Sequence, residues 1–272
     1  MRIVASRNGW EWLKEGVRLF ARGPFTWVFA VFAYWALMLG TKALPQVAGF
    51  LLSLLMPAFA VSFMALAREC AAGRRASPLV LAEGFRTRLP TLILLGGIYI
   101  AASFAILGLT ALVDGGALAR WMLLGEAAPD DEPSGPLLLG AVLATLLSTP
   151  VVAAFWFAPI LAAWDAMPPM KALFFSFFAV WRNWRAFLVY AGAVLASSVP
   201  LLLLFGLAVA VLANFGGSAV SSSPEARVGA GMLLASPLLF GAVAILLASF
   251  YASYRDIFPV DAPPGEGVLD AA

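Results

Sequence analysis

The sequence contains no histidine. That removes the most frequent general base, the commonest metal ligand and the side chain that changes charge near neutral pH. It holds a single cysteine, Cys70, so an internal disulfide and a multi-cysteine zinc centre are both excluded. Charge is scarce. Charged residues make up 12% of the 272 and hydrophobic residues 62%, against about 25% and roughly 45–50% in soluble domains. Such a chain has too little polar surface to coat a water-soluble globule. The sequence also lacks a glycine-rich phosphate loop, an HExxH pair and a GxSxG elbow.

What is present is apolar and long. Six runs, 24–41, 46–67, 89–113, 136–164, 186–213 and 228–254, contain no Asp, Glu, Lys or Arg. A helical crossing of the hydrocarbon core needs about 20 such residues, and inside a bilayer a helix satisfies its own backbone hydrogen bonds. The runs show none of the short alternation of barrel strands. Six transmembrane helices are therefore expected. The first run has no small-residue cleavage pattern and reads as a retained span.

Lys and Arg set the expected orientation. Fourteen fall on one side, in the N-terminal segment, in the connections 68–88 and 165–185, and at Arg255; only Lys42, Arg120 and Arg227 fall on the other. Both termini are thus expected in the cytoplasm of a bacterial inner membrane. The outer loop 114–135 is acidic, with Asp114, Glu126, Asp130, Asp131 and Glu132. Trp10, Trp12, Trp27, Trp164, Trp181 and Trp184 are placed as anchors at the inner interface.

The even-numbered runs share a form. SLLMP ends at Pro57, LLSTP at Pro150 and LLASP at Pro237. SFMALARE closes the second run at Glu69, SFYASYRD closes the sixth at Asp256, and APILAAWD closes the fourth at Asp165. Each odd run is preceded by an amphipathic or aromatic stretch. In residues 9–20, Trp10, Leu13, Val17 and Phe20 share one side at 100° per residue, and Glu11, Lys14, Glu15 and Arg18 the other. Asn8 reads as its N-cap, with Glu11 at the third position as in a capping box. Residues 78–87, with Ser77 as cap and Pro78 first, and residues 168–183 read as further copies. The expected fold is an all-α integral membrane domain over residues 1–258. It consists of three hairpins, about 8–69, 77–165 and 168–256, each led by an interfacial helix. Residues 259–272 would form a flexible cytoplasmic tail.

Two groups of residues are candidates for function. Pro57, Pro150 and Pro237 would kink their helices and could open a central cavity; prolines are also simply tolerated in membrane helices. Glu69, Asp165 and Asp256 sit at helix C-termini, where the macrodipole disfavours negative charge. Arg22, Arg86, Arg88, Arg182 and Arg185 are the available partners. The three acids with Arg86, Arg88, Arg182 and Arg185 would form a polar ring on the cytoplasmic face, either a structural ion-pair ring or a binding site for a cation or lipid headgroup. Small-residue pairs Gly97/Ala101, Gly192/Ala196 and Gly231/Ala235 permit close helix contact. The basic residues lie beside the membrane among apolar positions, which suits anionic lipid headgroups and gives no support to nucleic-acid binding.

The stretches GWEWLKEGVRLFARGPFTW, FFAVWRNWRAFLVY and SFYASYRDIF resemble a family of uncharacterised bacterial six-helix inner-membrane proteins. That group is similar in turn to the membrane domain fused to some glycerophosphodiester phosphodiesterases. The resemblance implies a fold and a location; this chain carries no phosphodiesterase domain, so that activity does not transfer. The reading is a non-enzymatic membrane protein without a cofactor. It would bind membrane lipid or a membrane-protein partner, itself included, in envelope maintenance. The alternatives are a channel or facilitator for a small neutral or amphipathic solute, and a membrane enzyme acting through converging Glu69, Asp165 and Asp256.

Overall fold

A computed structural model describes residues 1–41, 46–74, 77–124, 135–215 and 223–259. Lys42, Arg75, Glu126, Asp130, Asp131, Glu132 and the expected tail from residue 260 lie outside the described residues. The described chain is helical without strands. In order it forms α1 (Asn8–Ala21), α2 (Pro24–Gly40), α3 (Gln46–Leu54), α4 (Met56–Ala71), a 3-10 helix (Pro78–Ala82), α5 (Glu83–Arg86), α6 (Leu89–Asp114), α7 (Ala117–Leu124), α8 (Gly135–Phe155), α9 (Ala158–Ala163), α10 (Pro169–Arg182), α11 (Trp184–Phe215) and α12 (Pro224–Ile257).

Among the described residues, four stretches are long and apolar enough to cross a membrane: Leu89–Asp114, Gly135–Ala163, Trp184–Val211 and Glu225–Ile257. A fifth is added if α1 and α2, bent by 99° at their junction, are counted as one span. The sequence led us to expect six, with α1 lying apart from the first span. The first two expected spans are not unbroken helices of that length. α2 has 17 residues, or about 26 Å at 1.5 Å per residue, against a core of about 30 Å. The second expected run is divided at Leu55 into α3 and α4. Pro57 explains the division, because it lacks the N–H that would continue the ladder back to Ser53. The bonds Leu55 N–H to the Leu52 carbonyl and Ala58 N–H to the Leu55 carbonyl tighten the chain there.

The other two prolines behave differently. Pro150 and Pro237 lie inside α8 and α12, which run through them, as does Pro200 inside α11. At Pro237 the compensation is visible: the Ser236 hydroxyl donates to the Leu233 carbonyl at 2.7 Å, the acceptor that proline leaves without its usual N–H. Pro57 thus stands at a break between two helices, whereas α8 and α12 continue through Pro150 and Pro237.

The chain divides into two units. The first comprises Met1–Leu39, Phe63–Leu81 and the chain from Arg182 onward; the second comprises Gly40–Ser62 and Ala82–Trp181. In the first unit α1 lies across α11 and α12, which pack against each other, while in the second α6 packs against α8 and α3. Leu188, Leu195, Leu202, Leu203 and Leu207 on α11 are each at least 60% exposed. A continuous apolar surface of this kind requires lipid as its solvent.

The packing of α1 corrects the expected face. Its buried residues are Gly9, Trp12, Leu13, Gly16 and Leu19, whereas Trp10 and Val17 remain about half exposed. The two glycines decide this. A Cβ at Gly9 would collide with the Ala186 carbonyl, and one at Gly16 would lie 2.5 Å from the Ile245 oxygen and 2.9 Å from Ser249 Cβ. Backbone thus meets backbone along a stripe of small residues that a hydrophobic periodicity does not register. Asn8 is not the N-cap either. Arg7 holds that place without a side-chain bond, and the Asn8 amide is engaged elsewhere. Of the tryptophans placed as anchors, Trp10, Trp181 and Trp184 are exposed, but Trp12 and Trp27 are buried.

Small-residue contacts recur in the second unit. Gly84 meets the Ala58 carbonyl and Ser62, and Gly96 meets the Leu54 backbone. Three buried hydroxyls make matching bonds. Ser62 donates to the Ala58 carbonyl and accepts from Gly84 N–H. Ser176 donates to the Ala153 carbonyl and accepts from Phe157 N–H. Ser249 donates to the Leu246 carbonyl, which leaves Tyr190 as donor in their 2.6 Å contact. Each hydroxyl ties a helix turn to the element packed against it.

Candidate functional site

At the end of α12, the Asp256 carboxylate is drawn toward α1. Its Oδ2 accepts from Asn8 Nδ2 and from Trp12 Nε1, both at 2.8 Å. This is what diverts Asn8 from capping: a carboxylate is a stronger acceptor than any free main-chain group nearby. The Trp12 ring is held on its other side by Phe187 and Tyr190 of α11, with centroids 5.2 and 6.1 Å away. One indole therefore joins α1 to both neighbouring helices.

The remaining expected acids have other surroundings. Glu69 takes a two-pronged contact from Arg74, at 2.6 and 2.7 Å. That hydrogen bond, together with the positive charge of Arg74, holds the Glu69 carboxyl below its ordinary range. Asp165 is exposed just beyond α9. Neither Glu69 nor Asp256 pairs with the arginines expected to neutralise them. Two of those arginines serve main-chain oxygens instead. Arg22 donates to the carbonyls of Cys70 and Ala71 at 2.9 and 3.0 Å, and Arg88 to that of Ala166 at 2.8 Å. Cys70 and Ala71 end α4, where the last carbonyls have no partner within the helix, and the Arg22 guanidinium meets both that need and the negative end of the dipole. Arg86 and Arg182 are exposed, and Arg185 is exposed over the Trp184 ring at 5.4 Å. Within the first unit Glu69 and Asp256 are thus served separately, the one by Arg74 and the other by Asn8 and Trp12.

The end of α12 is closed by main chain. Arg2 N–H donates to the Ile257 carbonyl. Asn183, buried between α10 and α11, holds this N-terminal segment from behind: its Oδ1 accepts from Val4 N–H at 2.8 Å and its Nδ2 donates to the Arg2 carbonyl at 3.1 Å. Sequence reasoning missed Asn183. Its one signal is that it is the only amide within the aromatic stretch FFAVWRNWRAFLVY. Asp114, expected in an acidic outer loop, is buried and internal to its unit; its carboxylate accepts from Gly116 and Leu118 N–H and so caps α7.

Two cavities flank α1. One, of about 330 Å³, is lined by Asn8, Glu11, Trp12, Glu15, Arg18, Ala252, Arg255 and Asp256. The other, of about 230 Å³, is lined by Leu13 and Val17 of α1, with Val194, Ser197, Ser198 and Leu201 of α11 and Ala242, Ile245 and Leu246 of α12. The polar cavity adjoins residues 252–256 of α12 and the apolar one residues 242–246, so α1 lies crosswise between them. It presents charge toward the helix end and hydrocarbon toward the helix middle. Among the described residues no group of three or more metal-ligating side chains converges.

No family model matches the chain, and no solved structure matches it. A protein of Burkholderia thailandensis named "Probable inner membrane protein" is 38% identical over 267 residues, covering 96% of this chain and 94% of its own length.

Proposed function

Since the chain belongs to the same inner-membrane protein family as that Burkholderia protein, we propose that it is a six-span inner-membrane protein that binds lipid along its cytoplasmic face, without catalysis, in support of the envelope. The observation that carries this reading is the three-sided character of α1. One side is fastened to α11 and α12 through Gly9, Trp12 and Gly16. A second exposes Trp10 and Val17. A third carries Glu11, Lys14, Glu15 and Arg18. A helix with these sides lies in the plane of the membrane interface, and here it cannot drift from the spans. Fourteen Lys and Arg on the same side support its cytoplasmic placement.

On this reading α2 is the first span, short enough for the bilayer to thin around it, and α3 with α4 is the second, broken at Leu55. The three hydroxyl ties at Ser62, Ser176 and Ser249 favour a threefold repeat of interfacial helix and hairpin. The facilitator reading has less behind it. The cavity at the middle of the first unit is apolar apart from two serines, and their hydroxyls bond within their own helix.

The test is native mass spectrometry of the full chain released from nanodiscs. Retained phospholipid is expected, and its loss is expected when Trp10 and Val17 are both replaced by Glu. A chain released without any lipid would end this reading.

A further inference from the structure

Resting on the lipid-binding reading above, we propose that the polar cavity at the junction of α1 and α12 selects an aminophospholipid, by holding its primary ammonium at Asp256 and Glu11 and its phosphodiester at Arg18 and Arg255. The cavity is mixed in charge. Three carboxylates (Glu11, Glu15, Asp256) and two guanidinia (Arg18, Arg255) line about 330 Å³, room enough for a zwitterionic headgroup.

The bonding within the cavity leaves both kinds of charge available: Glu11 pairs with Lys14 through Oε1 at 2.7 Å, and its Oε2 accepts no bond among the described residues. Asp256 uses one oxygen, Oδ2, for Asn8 and Trp12; Oδ1 accepts no bond among the described residues. Glu15 sits between the two arginines, 3.2 Å from Arg18 and 3.5 Å from Arg255. These are long contacts, and each engages one of the five N–H groups a guanidinium carries. Both arginines are about half exposed or more. Glu15 therefore holds the guanidinia near each other without saturating them, as a phosphodiester requires.

The same inventory discriminates among headgroups. A primary ammonium brings three N–H donors for Asp256 Oδ1 and Glu11. A choline headgroup has the same charge but no N–H to donate. An anionic glycerol headgroup would bring its phosphate against three carboxylates with no ammonium to offset them. The membrane, rather than solution, is the source because Trp10 and Val17 on the opposite side of α1 set the cavity at headgroup depth.

The experiment reconstitutes the full chain in nanodiscs of equal phosphatidylethanolamine, phosphatidylglycerol and phosphatidylcholine with identical acyl chains, and reads retained lipid by native mass spectrometry. Ethanolamine lipid is expected to be retained over each of the others by about fivefold, the upper range for an exposed charge pair. Glu11→Gln and Arg255→Gln should each bring the ratio toward one. Equal retention of the three lipids, or a preference for either competitor, overturns the selectivity but leaves lipid binding standing; absence of all lipid removes the underlying reading instead. Soluble glycerophosphoethanolamine at the same concentration should be retained less than the lipid, and equal retention overturns the assignment to a membrane ligand.

Discussion

The Trp12 indole Nε1 and the Asp256 carboxylate meet at 2.8 Å across 244 residues of chain. The indole is 3% exposed and stands between Phe187 and Tyr190, so the hydrogen bond and the ring packing depend on each other. Replacing Trp12 by Phe keeps most of the ring and removes the donor. The expected cost is about 1–3 kcal/mol, the range for a buried partner left short of a bond. A lower thermal midpoint in detergent, followed by tryptophan fluorescence, checks it. Asp256→Ala should cost no less, because it strands both Trp12 and Asn8.

Gly84→Ala is expected to be among the most damaging single-methyl additions in the chain. Its Cβ would run into the Ala58 carbonyl, and the nearby Ser62 hydroxyl could no longer accept from residue 84. Overpacking of this kind costs about 1–3 kcal/mol. Gly49→Ala, where nothing lies within 4 Å, is the control and should leave the midpoint unchanged or slightly raised. Equal midpoints for the two variants would contradict the close approach.

Asn183→Ala should free the N-terminus without unfolding α10 or α11. Residues 2–4 would lose both of their bonds to the side chain. Brief trypsin treatment is expected to cut after Arg2 and Arg7 faster in the variant than in the parent, and the Arg2 bond to Ile257 should exchange its amide hydrogen sooner.

The Glu69–Arg74 pair gives a prediction in pH. The folded carboxyl titrates below the ordinary 4.5 because Arg74 favours its charged form. A depressed carboxyl contributes stability above its unfolded pKa, and that contribution is lost as pH falls through the folded value. The pair therefore holds at neutral and mildly acidic pH and opens only in stronger acid. A carbon-13 carboxyl titration of Glu69 should give a midpoint below 4.5, and Arg74→Gln should move it upward. Because both groups face solvent, the effect on global stability is small.

Orientation can be read chemically. Cys70 is 2% exposed, and burial pushes its thiol pKa up, so it should resist maleimide from either side. In a Cys70→Ala background, Arg7→Cys places a thiol at an exposed site. An impermeant maleimide is expected to label it in inside-out vesicles and leave it unlabelled in spheroplasts.

The parts of this architecture that a sequence displays are those written in long apolar runs. The runs at 89–113, 136–164, 186–213 and 228–254 correspond to the four long membrane-length stretches within a few residues at each end. The interfacial stretches 9–20 and 168–183 appear as α1 and α10, and 78–87 as a 3-10 helix followed by one turn of α-helix. The division at Leu55 was foreshadowed by Pro57, yet Pro150 and Pro237 carry the same local signal and are absorbed. What separates them is the local supply of acceptors and donors, such as the Ser236 hydroxyl, and that is set by geometry. Charge counting matched acids with arginines, whereas Arg22 meets the last carbonyls of α4 and Arg88 the Ala166 carbonyl beyond α9. The close approaches at Gly9, Gly16 and Gly84 were invisible because a glycine looks alike whether it loosens a helix or lets another in.

The seating of α1 on α11 and α12 also bears on how the molecule is made. α1 leaves the ribosome well before α11 and α12, the helices it packs against. Residues 22–223 must follow before α12 begins, which at ordinary synthesis rates is on the order of 10–40 s. Through that interval α1 has Gly9 and Gly16 uncovered and its Trp12 donor without Asp256. Membrane insertion can proceed span by span, but closure around Asp256 waits for the last turn of α12. A chain truncated before residue 249 would thus be inserted and still unfinished, recognisable to quality control by a helix with nowhere to dock.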